Sequence, residues 1–332
     1  MHRYAVGLDL GGTSIKAALV ERNRGTLYET TRPTYAEEGP DQVIERISEI
    51  VEELVIQSPT NAIAGIGIGS PGAINWERTS VSHPPNFPGW TEIDLRDVLS
   101  ANFGKMIPVI VENDANVAGL GSAHYGVGVP FDSFIMITLG TGVGGAIIYQ
   151  NKIFRGTTGG AGEIGHMTID FEGPFDRSGV AGAIEAYLGQ RFLSRHARYR
   201  LMTRTNSIMH QMAGPDLQGI TPKMLYDAAV QGDDGAIEVL AWAGHKLGCV
   251  LGSSVNLLDI RKIIIGGGLS AAGDYILEPA RLSLKRFVMP GLREGLEIIQ
   301  ETRGNEVGML GATHLVFQFL DEQVASPPPI NS

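Results

Sequence analysis

A chain of 332 residues, 43% hydrophobic and 19% charged, has the size of about two globular domains and the composition of a globular enzyme. Its formal net charge of −10, with no dense Lys/Arg block, argues against nucleic acid or an anionic membrane as partner, though not against a local basic spot. The single cysteine, Cys249, excludes an intramolecular disulfide and any multi-cysteine metal site, and it fits a reducing, cytoplasmic setting.

The N-terminal MHRYAVGLDLGG lacks the apolar stretch ending in small residues that marks a signal peptide. No run of about 18 apolar residues is available to span a membrane. From Tyr4, YAVGLDLGGTSIKAALVE predicts strand, glycine turn and strand, with Val6 and Leu8 and then Ile15, Ala17 and Leu19 alternating with other residues. Gly39 and Pro40 open a predicted helix whose Val43, Ile47, Ile50, Val51 and Leu54 recur at helical spacing. IAGIGIGSPG reads as a buried strand running into a turn, and KMIPVIVENDAN as a strand ending at Glu112 before another helix.

The second half starts again with strand, glycine turn and strand in SFIMITLGTGVGGAIIYQNK. An irregular glycine-rich segment follows to about Ala183. Helices are then expected from Glu185 to His196, from Thr221-Pro222, and from Asp234 to Leu258. RKIIIGGGLS predicts a buried strand meeting a glycine loop and a further helix. The tail from Val324, VASPPPINS, is short, proline-rich and expected to fray. The strand–turn–strand unit thus occurs twice, which predicts two α/β lobes, each offering a glycine hairpin to one cleft.

There are 44 glycines, against a usual share of about 7%, and they cluster in these loops. Gly140, Gly142 and Gly145 spell G-x-G-x-x-G, the dinucleotide fingerprint, but that motif needs a helix directly after the loop. Here AIIYQNK follows, which is a returning strand. The similar spacing of Gly67, Gly69 and Gly72 contains Pro71 within the turn, and no G-x-x-x-x-G-K-[ST] occurs. What remains is a hairpin whose backbone N–H groups form a nest for negative charge. Two such hairpins and the loop Gly266-Gly267-Gly268 point to phosphate and nucleoside contacts. Asp9, at the mouth of the first hairpin, either closes its own turn or meets a phosphate through Mg²⁺. Asp114 or Asn113 either caps a helix or carries chemistry at the end of a strand.

DLGGTSIK, SPG, ENDAN, LGTGVGGAII, GEIGH and IIIGGGLS, in this order and spacing over about residues 4–315, resemble the ROK family of sugar kinases, within the superfamily that also holds actin. The resemblance implies an α/β, two-lobed actin-like ATPase (ribonuclease H-like) fold with an interlobe active-site cleft. Residues 1–117 with about 306–323 would form the N-terminal lobe and 118–305 the C-terminal lobe, leaving 324–332 as a flexible tail. It implies ATP held by Asp9, Gly11, Gly12, Thr13, Lys16, Thr138, Gly140, Thr141, Gly142, Gly144, Gly266, Gly267 and Gly268, with Mg²⁺ reached from Asp9 through water. Asp114 is implied as the general base that takes a proton from a sugar hydroxyl. Gly72, Asn86, Asn113, Asp114, Glu163, His166 and Glu185 are the implied sugar contacts. PNFPGW is closer to the family's glucokinases than to its N-acetylmannosamine kinases.

One departure stands out. The family's structural zinc site uses the GEIGH histidine and three cysteines in C-x-C-G-x-x-G-C-x-E, and the matching run here, DRSGVAGAIE, holds Asp176, Ser178 and Ala183 at those positions. No zinc is expected, since alanine has no donor and a neutral hydroxyl is a poor substitute for thiolate. The expectation is an ATP- and Mg²⁺-dependent hexose kinase, glucose phosphorylated at its 6-hydroxyl, working as a homodimer or homotetramer. Kinases of other hexoses, polyphosphate as donor, and a non-catalytic sugar regulator are the alternatives. The regulator is disfavoured by the net charge, by the intact Asp9 and Asp114, and by the lack of room before Asp9 for a winged helix.

Overall fold

The computed structural model describes residues 3–103 and 107–325, so most of the tail expected to fray lies outside the described residues. The chain divides into two compact units. The first comprises the chain up to Asp132, Ile147–Ala161 and the chain from Asn305 on; the second comprises Ser133–Ala146 and Gly162–Gly304.

In the first unit β1 (Tyr4–Leu10) and β2 (Ser14–Glu21) form the expected hairpin, with Asp9 facing Lys16 and Leu10 facing Ile15. β3 (Gly25–Pro33) continues the antiparallel edge, while β4 (Ile66–Ser70) runs parallel to β1. A three-stranded ribbon of β5 (Ala73–Ile74), β6 (Ser80–Ser82) and β7 (Glu92–Asp94) precedes β8 (Val109–Asn113), which pairs parallel to β4. The main sheet has the order β3-β2-β1-β4-β8.

β1 shows why its alternation runs large–small. Tyr4, Val6, Leu8 and Leu10 join the core under α1 (Pro40–Gln57), whose Val43, Ile47, Ile50, Val51 and Leu54 are buried as the spacing predicts. Ala5 joins the opposite core with Met309, Ala312 and Val316 of α10 (Glu306–Ala325). On that face a side chain at Gly7 would overlap the Met309 carbonyl, so the small residues let a helix lie directly on the strand. α2 (Leu95–Phe103) adds Leu95 and Leu99 to the first core. α3 (Asp114–Tyr125) packs along α10, and Gly121 and Gly311 sit where any side chain would strike the other helix's backbone.

The second sheet repeats the plan. β9 (Phe134–Leu139) and β10 (Val143–Tyr149) are neighbours, β11 (Lys152–Ile153) is the edge, and β12 (Lys262–Gly266) and β13 (Glu297–Gln300) follow in the order β11-β10-β9-β12-β13. β12 is parallel to both β9 and β13. Both sheets therefore read 3-2-1-4-5 in their own numbering, which turns the twice-seen sequence unit into a repeated topology. The expected helix from Glu185 is broken into α4 (Glu185–Leu188) and α5 (Gln190–Leu201), because Gly189 adopts an extended backbone at ψ 138°. α6 (Met209–Met212) is a single turn. Thr221 caps α7 (Pro222–Val230) and Asp233 caps α8 (Asp234–Leu258), which packs on α9 (Asp274–Phe287).

The expected lobe boundary at 117/118 falls inside α3, and the units part instead after Asp132. The reason is packing: α3 is one continuous helix, its Val117 and Leu120 share a core with α10, and Tyr125 and Ile153 lie against that same core. Residues 118–132 and 147–161, expected in the C-terminal lobe, therefore belong to the first unit.

Candidate functional site

In the first unit, chemistry collects at the carboxyl ends of three parallel strands. Asp9 on β1 is level with Gly69 on β4, which is level with Glu112 on β8; one step further, Ser70 is level with Asn113. Ligands of parallel α/β sheets gather at this edge. The turn beyond Asp9 is pinned by Gly11 N–H donating to the Ser14 carbonyl (3.0 Å) and by Thr34 N–H donating to the Thr13 carbonyl (3.0 Å). Gly11 and Gly12 are half-buried, and Thr13 is exposed. Lys16 Nζ lies 3.7 Å from Asp9 Oδ2. Burial pushes the Asp9 carboxyl up from its ordinary value, against the pull of Lys16. Among the described residues no three His, Cys, Asp or Glu side chains cluster closely enough to cage a metal. A lone recessed carboxylate beside a glycine turn does fit Mg²⁺, which relies mostly on waters and phosphate oxygens.

Asn113, not Asp114, is the cap of α3. Its Oδ1 accepts from Ala115 N–H (3.0 Å) and Asn116 N–H (3.3 Å), which leaves its amide nitrogen as the group suited to a hydroxyl. Asp114 is the first residue of the helix, and its Oδ1 accepts from Ala115 N–H at 2.8 Å. Asn86 has a left-handed backbone (φ 68°) and packs over Gly12, in a segment anchored by buried Phe87 and Trp90. Gly72 also has positive φ (99°), and a Cβ there would lie 2.8 Å from Pro84 Cα. Its glycine is accounted for by the chain's own packing.

Glu112, next to Asn113 on β8, is fully buried, a role the motif around it does not announce. Its Oε2 lies 2.8 Å from Arg78 Nε and 2.9 Å from Arg155 Nε, and its Oε1 accepts from Asn113 N–H (2.9 Å) and Asn116 Nδ2 (3.1 Å). Arg155 in turn donates to the carbonyls of Trp76 (2.7 Å) and Asn75 (2.9 Å). A glutamate ending the otherwise apolar run VIVE was the available signal, because an acid there needs buried cations.

In the second unit Thr138, one residue before the end of β9, is level with Gly266 at the end of β12. Gly140 N–H donates to the Gly142 carbonyl (3.0 Å) to close the second hairpin, and Thr141 stands exposed at its tip. Glu185 sits on this turn: its Oε2 accepts from Val143 N–H at 2.9 Å and occupies the space a side chain on Gly142 would need. Gly144 follows within β10, half-buried. Gly267 has φ 83° and passes against the Leu139 backbone, tying the third glycine loop to β9. Gly140 and Gly268 differ from these. Neither has a left-handed backbone, and nothing of the chain lies within 4 Å of a Cβ built there. The fold does not require glycine at either place, and the backbone there is left open to close approach.

We expect Gly140→Ala to leave the unfolding midpoint unchanged, and to raise about tenfold the KM for the ATP that the family resemblance implies, a loss equivalent to roughly 1.4 kcal/mol. Denaturation and steady-state kinetics on the same sample check both parts.

Glu163 precedes a short 3₁₀ turn, Ile164–His166. Burial pushes the Glu163 carboxyl up, His166 pulls it down, and the charge of Glu185 pushes it up again, so the three side chains share one electrostatic neighbourhood. The zinc positions do not fit zinc. Ala183 is buried and offers no donor, the Ser178 hydroxyl is bonded to Asp176, and Asp176 is bonded to His166.

The ROK family model matches residues 5–318 of this chain. A glucokinase of Thermotoga maritima is 32% identical over 94% of this chain and 96% of that protein. A glucokinase of Streptomyces coelicolor is 34% identical over 93% and 96%. Among solved structures, a ROK family glucokinase from Streptomyces griseus in complex with glucose and AMPPNP superposes with a TM-score of 0.84 at 31% identity, covering 95% of this chain and 99% of that one.

Proposed function

The chain belongs to the ROK family, and from that premise we propose that it is an ATP-dependent glucokinase that transfers the γ-phosphate to the 6-hydroxyl of glucose. The observation that carries the reading is the shared edge of β1, β4 and β8, where Asp9 with its glycine turn on β1 and Asn113-Asp114 at the end of β8 flank β4. A sugar hydroxyl is a weak nucleophile, and Asp114 accepts its proton as the phosphoryl group moves. In the first unit the Gly12 and Thr13 amides, with Lys16 near their turn, are proposed to bind phosphate oxygens; in the second unit the Thr141 and Gly142 amides do the same near Thr138, and Gly266–Gly268 receive the nucleoside. Asp9 would hold Mg²⁺, which would supply neutralisation of phosphate charge. Asn86, Asn113, Glu163, His166 and Glu185 are proposed as the partners of sugar hydroxyls, with Gly72 beside them. A site built for several hydroxyls rejects an epimer by leaving polar groups unpaired. The working form is a homodimer or homotetramer.

ADP release coupled to a panel of hexoses tests the proposal. Turnover with glucose above all other sugars is the expected result. Preference for N-acetylmannosamine or another hexose would replace the substrate, and polyphosphate serving where ATP fails would replace the donor. Sugar binding without turnover would make the chain a regulator.

A further inference from the structure

With its three thiol positions filled by Asp176, Ser178 and Ala183, the segment between Met167 and Ile184 needs another means of keeping its shape. Short antiparallel bridges supply part of it, at Thr168 with Ala183 and at Phe175 with Ala181. The rest converges on one carboxylate. The Asp176 side chain is fully buried, with Oδ2 only 2.6 Å from His166 Nδ1. Its Oδ1 accepts from Ser178 Oγ (2.8 Å), Ser178 N–H (2.9 Å) and Val180 N–H (2.9 Å).

These contacts fix where a proton sits. Burial alone would raise the Asp176 carboxyl, but the bonds from His166, Ser178 and Val180 outweigh it and hold the group below its ordinary value. An ionised carboxylate only accepts, so His166 Nδ1 must carry hydrogen. Ser178 Oγ has given its own hydrogen to Asp176, and its lone pair faces the same Nδ1 at 3.3 Å. Both neighbours of Nδ1 are therefore acceptors.

We propose that Asp176, supported by Ser178, is a positioning residue that locks a ring hydrogen of His166 on Nδ1, so that in the neutral ring Nε2 is a lone-pair acceptor beside Glu163. A metal ion in the same place would do the reverse. It would take the Nδ1 lone pair and force the ring hydrogen onto Nε2, turning that atom into a donor. The exchange of thiolates for a carboxylate thus does more than replace a staple: it inverts the hydrogen-bond polarity that His166 shows to whatever lies between it and Glu163, whose Oε2 is 3.9 Å from Nε2. A hydroxyl there donates to His166. That this hydroxyl belongs to a hexose rests on the function proposed above; the tautomer does not.

Nitrogen-15 NMR of imidazole-labelled protein, with the His166 signals assigned from His166→Gln, tests the tautomer directly. The expected spectrum has a protonated Nδ1, an unprotonated Nε2 at alkaline pH, and a low-field Nδ1 proton that vanishes in Asp176→Ala. A proton on Nε2 with bare Nδ1, or stoichiometric zinc by elemental analysis, would overturn the proposal. Asp176→Asn serves where Asp176→Ala loosens the loop, since its carbonyl can keep the turn while its amide hydrogen faces Nδ1. It is expected to move the ring hydrogen to Nε2 and raise the KM for hexose about tenfold, with the KM for ATP within about twofold. A moved hydrogen with unchanged hexose KM would refute the substrate-facing role. Absence of any hexose turnover in the unmodified protein would sink the kinase reading while leaving the tautomer assignment standing.

Discussion

Asp114→Asn is expected to lower kcat with glucose by about 10²–10⁴-fold, the usual worth of a positioned general base, and to lower kcat/KM by a similar factor. The substitution is chosen for what it preserves. Asparagine keeps an oxygen for the Ala115 N–H that Asp114 now accepts at 2.8 Å, and Asn113 still caps α3, so the helix start is undisturbed. What disappears is basicity. Steady-state ADP release at saturating glucose and ATP measures the loss, and an unchanged circular dichroism spectrum and melting curve show that folding is intact. Undiminished turnover would remove Asp114 from the reaction.

Glu112→Gln is expected to cost about 3–5 kcal/mol of stability, the range found when one partner is taken from a buried ion pair. Glu112 is fully buried and faces two guanidinium groups, and Arg155 has only 8% of its side chain exposed. Neutral glutamine takes the Glu112 anion from both guanidinium groups and leaves Arg155 with the charge of Glu77 alone as offset. Burial already pulls the Arg155 guanidinium down, with the charge of Glu112 raising it and that of Arg78 lowering it again. Urea unfolding followed by tryptophan fluorescence suits the test, since Trp76 and Trp90 lie in the affected unit and Trp76 stacks on Arg155. A loss under about 1 kcal/mol would mean that the arginines find other partners, and that Glu112 does not anchor the strand carrying Asn113.

How far the sequence could be read depended on whether a feature is local. The two glycine hairpins were legible because strand alternation and turn glycines are short-range signals, and α1 was legible from Gly39, Pro40 and a clean apolar stripe. The break at Gly189 was not, because the glycine lies against the Thr141 carbonyl, to which Gln190 N–H also turns, and that carbonyl comes from a distant part of the sequence. Asp114 was visible at a strand end. Glu112 beside it was not recognised as an anchor, since its two arginines come from residues 34 positions before and 43 positions after it. The lobe boundary was misplaced for a related reason: the helix that fixes α3 in the first unit lies nearly 200 residues downstream. For Glu185, the motif gave its neighbourhood but not its seat on the Val143 amide.

The placement of α10 carries a consequence for how the molecule is made. Ala5, Gly7 and Gly67 face a helix that is synthesised only after the whole of the second unit. The second unit, uninterrupted from Gly162 to Gly304, is complete before that helix exists. β1 and β4, made before the second unit, thus wait for a helix made after it, and until then a nascent chain carries a bare apolar sheet face that chaperones have reason to cover.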